Sequence, residues 1–176
     1  MTELIYTLNE LINDVMLHAQ SYGMSYNEAY FDKINSILTE NGDVRELTFS
    51  EYNGQDDKGR IIRADGYGFD VEDGTETSTI REMTILLSDY GYDGVSGEID
   101  TIRTLNTDEL EKKFMEVKRF IEACSSPSFV TDIAETARYR DLVELLTQNL
   151  SKLEKITILY ATTSRFSGRI KEFKSD

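Results

Sequence analysis

The chain has 176 residues, 39% of them hydrophobic and 30% charged, which suits a single globular domain over residues 1–176 and excludes a disordered segment. Its net charge is −14, spread unevenly: residues 1–150 carry 13 basic and 30 acidic side chains, residues 151–176 carry 6 and 3. An acidic body repels phosphate backbones, so weak or no nucleic-acid binding is expected of the isolated domain.

The first predicted helix spans residues 3–21. Leu4, Leu8, Leu11, Val15 and Ala19 recur at spacings of three and four, the stripe of one buried face, and Gly23 ends it. Ser25 then opens a second helix in a capping box with Glu28. That helix presents Tyr30, Ile34, Ile37 and Leu38 before Asn41-Gly42 stops it after Glu40.

Three strands follow. RELTFSEY (45–52) alternates, the polar stretch 53–60 connects it to IIRADGYGFD (61–70), and IREMTILLSDY (80–90) is the third. Asp73-Gly74 is a hairpin signal between the last two. Ile85, Leu86 and Leu87 are apolar on both faces, which predicts a central third strand.

Residues 91–106 read as a Gly-rich loop. A third helix begins near Thr107 with Leu110, Phe114, Val117 and Ile121 on one face, and Ser126-Pro127 breaks it. A fourth helical stretch is predicted over 132–151, then a strand over 155–161 (KITILYA). Residues 162–176 have no predicted element; Arg165, Arg169, Lys171 and Lys174 make them a basic tail or a solvated terminus. The order α-α-β-β-β-α-α-β predicts an α/β (α+β) protein, a mixed sheet with helices on both faces.

No run of about 18 apolar residues marks a membrane span, and MTELIYTLNELIND lacks the pattern of a secretory signal. The lone cysteine, Cys124, cannot close an internal disulfide, so a reducing cytoplasm is expected.

Candidates for catalysis are few. His18 is the only histidine and reads as an ordinary helical residue, which leaves no Ser-His-Asp or Cys-His pairing and no zinc pattern. Cys124, with no basic neighbour closer than Arg119, reads as a buried structural thiol. Glycines 91, 94 and 97 form neither a dinucleotide fingerprint nor a Walker loop. The acids of Asp70–Asp73 lack calcium-loop spacing and read as a solvated hairpin.

Two strand carboxylates stand out, because acids are depleted in strand interiors. Alternation puts Asp65 on the face of Ile61, Arg63, Tyr67 and Phe69, and Asp89 on that of Met83, Ile85 and Leu87. Antiparallel pairing through Asp73-Gly74 can bring both to one edge of the sheet. There, with Glu28 as a third, they can hold Mg²⁺ or Mn²⁺. On that reading Asp65, Asp89 and Glu28 are the catalytic candidates, and Asp65 and Asp89 the metal candidates. The structural alternative is that Asp65 pairs with Arg63 or caps a turn, Asp89 ends its strand, and no cofactor is bound.

ADGYGFDVEDGT (64–75) followed by ILLSDY (85–90) resembles the N-terminal region of abortive phage infection proteins of the AIPR type. The similarity extends over NEAYFDKINSILTENGDV (27–44), TDELEKKFMEVKRFIEA (107–123) and KITILYATTSRFSGRIK (155–171), roughly residues 25–174. It implies a role in bacterial defence against phage, and a chain that is the N-terminal part of a longer protein. The core order is also similar to restriction-endonuclease-like folds, whose motif is an Asp on the second strand and Glu/Gln-x-Lys on the third. Asp65 matches the first element, but the triplet reads Leu87-Ser88-Asp89. Lysine there would help activate water and stabilise developing charge; aspartate opposes an anionic phosphodiester.

Three functions follow as expectations. The first is a degenerate nuclease-like domain acting through protein contacts, by self-association or with downstream domains. The second is a divalent-metal nuclease using Asp65, Asp89 and Glu28. The third is an acidic decoy for a basic partner.

Overall fold

The computed structural model describes residues 3–71, 80–92, 97–131, 133–134 and 137–168. In chain order the elements are α1 (Glu3–Tyr22), α2 (Tyr26–Glu40), β1 (Thr48–Gln55), β2 (Ile61–Val71), β3 (Ile80–Asp89), β4 (Thr104–Leu105), α3 (Thr107–Cys124), α4 (Pro127–Thr131), α5 (Arg140–Asn149), β5 (Lys155–Thr162) and β6 (Arg165–Phe166). The class is mixed α+β, as the pattern predicts. Among the described residues no helix is long and apolar enough to cross a membrane.

The main sheet has the order β1-β2-β3-β5. β1–β2 and β2–β3 are antiparallel, and β3–β5 is parallel. β3 is therefore central, the place its apolar run Ile85-Leu86-Leu87 predicts, with all three side chains buried. The parallel return needs a crossover, which α3, α4 and α5 supply.

Each face of the sheet carries helices. On one, Ile62, Ala64, Met83, Ile85 and Leu87 pack against Val117, Phe120 and Cys124 of α3 and Leu142, Val143 and Leu146 of α5. On the other, Leu86 meets Phe31 and Leu47, while Tyr90 joins Tyr30, Ala29 and the α1 side chains Leu8, Ile12, Val15 and Ala19.

Two buried or half-buried asparagines bind a neighbouring segment in the same way. Asn9 of α1 donates Nδ2 to Ile99 O (3.0 Å) and accepts Ile99 N at Oδ1 (2.9 Å). Asn35 of α2 does the same with Leu47 (3.0 and 2.9 Å), fixing where β1 begins. Each pairing satisfies one residue's backbone donor and acceptor.

Several boundaries and faces differ from the sequence pattern. α1 buries Asn9 and Ile12, while Leu4 is 55% exposed, because the stripe that meets α2 and the sheet starts one turn later. α2 buries Ala29, Tyr30 and Phe31, and leaves Ile37 43% exposed. β1 runs over 48–55 rather than 45–52, since Asn35 holds Leu47 outside the strand and β2 pairs it as far as Gln55. The fourth helical stretch is not continuous over 132–151: α4 ends at Thr131 and α5 begins at Arg140. The loop 91–106 and the tail each contain two residues of strand, β4 and β6, paired in parallel. Asp73-Gly74 and the tail residues Arg169, Lys171 and Lys174 lie outside the described residues.

Candidate functional site

β2 does not alternate evenly. Ile62 and Ala64 enter the α3–α5 core at even positions, and Tyr67 and Phe69 at odd ones. The phase slips by one at Asp65-Gly66, opposite the β1 register shift between Phe49 and Tyr52. A Cβ at Gly66 would lie 2.2 Å from the Phe31 ring and 2.8 Å from Thr48 O, so only glycine fits against α2. This slip corrects the predicted face: Asp65 does not share a side with Tyr67 and Phe69.

Asp65 is 1% exposed and fully engaged. Its Oδ1 accepts Arg63 Nε (2.9 Å), and Oδ2 accepts Arg63 Nη2 (2.8 Å), Ser88 N (2.7 Å) and Ser88 Oγ (3.0 Å). Arg63 Nη2 also donates to Ser88 O (2.7 Å), closing a ring between β2 and β3. Bidentate guanidinium–carboxylate pairing of this kind is the strong form of the interaction.

Burial alone would lower the Arg63 pKa, but the charge and hydrogen bonds of Asp65, with further carboxylates at Asp89 and Glu51, hold it above its ordinary value. Glu51, on β1, is pushed up chiefly by burial and then by the Asp65 charge; Arg63 and a hydrogen bond with Asn27 oppose this, and Glu28 adds to it.

The other two predicted carboxylates have partners of their own. Asp89 Oδ2 accepts Tyr160 Oη (2.9 Å), and burial together with the Asp89 charge raises the Tyr160 pKa. Both Glu28 oxygens accept Arg138 Nη1 (3.0 Å each). Ser25 Oγ does accept Glu28 N (3.1 Å), so the N-cap forms, but the Glu28 side chain turns to Arg138 instead of closing the capping box. Arg63 thus feels Asp65, Asp89 and Glu51, and Glu51 feels Glu28: the carboxylates share a neighbourhood whose cation is a guanidinium.

Whether this group suits Mg²⁺ or Mn²⁺ turns on free oxygens, since such ions demand an oxygen shell. Asp65 already accepts four hydrogen bonds, two from Arg63, and a metal there would have to displace the guanidinium. Among the described residues no group of three or more His, Cys, Asp or Glu side chains is arranged to hold a metal ion. The donor set does not fit a divalent ion in this arrangement.

His18 lies 3.5 Å from Asp32 and packs on Tyr22, with ring centroids 4.7 Å apart. Cys124 is buried in the α3–α5 core, where desolvation pushes its thiol up to about 12. Neither is set up as a nucleophile or base.

Glu51, Arg138 and Ser88 are members of the network that sequence patterns miss. Arg138 stands in a stretch that reads as helix, and only the slip at Asp65-Gly66 turns Asp65 onto Ser88. Arg63, two residues before a strand carboxylate, is the one partner whose spacing signals the pairing.

The family model described as the abortive infection phage resistance protein N-terminal domain matches residues 30–176. No curated protein and no solved structure matches the chain.

Proposed function

The chain belongs to the family of abortive infection phage resistance protein N-terminal domains, and from that membership we propose that it is a nuclease-like domain that has lost cleavage and serves phage defence through protein contacts within a longer protein. The observation that carries this reading is the Arg63–Asp65 pair. A carboxylate that matches the strand Asp of restriction-endonuclease-like folds has its charge neutralised from within. The β3 triplet supports it as well. Leu87 is buried in the core, Ser88 binds Asp65, and Asp89 receives a tyrosine hydroxyl, so none of the three supplies the lysine that would activate water.

One observation favours a second reading, a divalent-metal nuclease. Asp65, Asp89 and Glu51 all raise the Arg63 pKa, which groups three carboxylates around one cation.

Calorimetric titration of the chain with Mn²⁺, alongside a cleavage assay on DNA and RNA, separates the two. Flat heats and intact substrate are the expected results. A saturable site that weakens in both Asp65→Ala and Asp89→Asn, with metal-dependent cleavage, would overturn the non-cleaving reading.

A further inference from the structure

We propose that β5 pairs edge to edge and antiparallel with β5 of a second copy of this chain. This rests on the reading that the domain acts through protein contacts, and it names the surface and the partner.

The two edges of the main sheet are built differently. β1 shifts register between Phe49 and Tyr52, carries Glu51 and Gly54, and is overlaid by Phe129, Arg138 and Tyr139. Ser50 Oγ donates to Arg138 O (3.3 Å), and the Tyr52 ring meets those of Phe129 (5.6 Å) and Tyr139 (4.8 Å). A bulge, a charge and a cover are the devices that keep an edge from pairing with another strand.

β5 has no bulge, and its one charge, Lys155, is at its first residue. Its register with β3 is unbroken from Glu82↔Lys155 to Asp89↔Thr162. From Ile156 to Thr162 it contains no charge, proline or glycine. Among the described residues only β3 pairs with it, so its outer row of N–H and C=O groups has no strand beside it. Next to this edge, between α2 and β5, run two hollows of about 450 and 390 Å³ that share Leu38 and Leu159, one reaching Thr157 and the other the exposed Ile37.

Charge selects the occupant. A chain of net charge −14 repels its own copies over most of its surface. The stretch from Lys155 to Arg165 contains no acid, so two copies can meet there without opposing carboxylates. Pairing about a twofold axis normal to the sheet, with Ile158 opposite its own copy, is also self-compatible. Lys155 of each copy then lies beside Ala161 of the other, and the two lysines are at opposite ends of the ladder.

The test is sedimentation of the 176-residue chain at about 50 μM, where a dimer with Kd of about 1 μM is mostly associated. A dimer is expected. Thr157→Lys, which puts two like charges into the paired strands, is expected to raise Kd at least about tenfold while far-UV circular dichroism stays unchanged. Hydrogen exchange on the unmodified protein supplies the second readout: the β5 amides should gain protection as concentration rises, and those of β1 should not. A monomer at that concentration, or a folded Thr157→Lys chain that stays dimeric, would overturn the self-pairing. A monomer that neither binds Mn²⁺ nor cleaves would leave the proposed function standing, whereas cleavage would overturn that function and leave a dimer through β5 intact.

Discussion

The two faces of the sheet solve different problems. Toward α3 and α5 the strands present Ile62, Ala64, Met83, Ile85 and Leu87, and the helices answer with Val117, Phe120, Leu142 and Leu146, all buried. Toward α1 and α2, Leu86, Ser88 and Tyr90 alternate along β3, and Ser88 draws Asp65 and Arg63 into an otherwise apolar layer. The first face is held by packing, in which contacts are many and non-directional. The second contains a charged ring whose members depend on one another. A neutral core tolerates imperfect geometry, but a buried ion pair is costly when either partner is removed.

That contrast can be broken from either side. The largest effect is expected from Phe120→Ala on the apolar face, a loss of about 4 kcal/mol in urea denaturation from transfer and cavity terms together. Next is Asp65→Ala, about 3 kcal/mol, because Arg63 is left half-buried without its carboxylate. Combining Arg63→Met with Asp65→Leu should cost less than the two single changes added together. A coupling of about 2 kcal/mol in that double-mutant cycle would show that the ring acts as a unit. If the two changes are additive, the polar face is only a set of separate contacts.

Gly66→Ala probes the slip itself. Its Cβ would press on the Phe31 ring and the Thr48 carbonyl, and a loss of about 2 kcal/mol is expected. The smallest effect, and the only gain, is expected at Glu51. Its carboxyl is raised in the fold by burial first and by Asp65 second, so the folded chain holds that proton to higher pH than the unfolded one. Stability from this group is therefore fully present below the ordinary value of 4.5 and is lost as pH rises through the folded value. Glu51→Gln should be slightly more stable than the parent at pH 7, with the difference shrinking below about pH 4.5 in thermal melts.

Local periodicity made much of the fold legible. The three-and-four spacing found α1, the alternation found β2 and β3 with nearly their full lengths, and the doubly apolar run placed β3 at the centre. It failed where partners decide. Nothing local to Leu4 or Ile37 says that their helix turns away from the core at those positions. The gap between α4 and α5 lies in residues whose composition suits a helix. β4 and β6 exist only because two loops meet. At the site, the residue types were legible and their grouping was not: Asp65, Asp89 and Glu28 all stood out in the sequence, yet each is held by a different partner, Arg63 with Ser88, Tyr160, and Arg138.

The sequence by itself determined the order of the main helices and strands, the mixed class, the central strand, the net negative charge and the family, because these depend on composition, short-range spacing and residue motifs. Tertiary structure alone decided which cation faces the strand carboxylate, which strands lie at the edges of the main sheet and where β2 slips. Those outcomes depend on groups far apart in the chain, Ser88 with Asp65 and Arg138 with Glu28 among them. Hydrogen bonds and charges act over a few ångströms of space, whatever the separation along the chain.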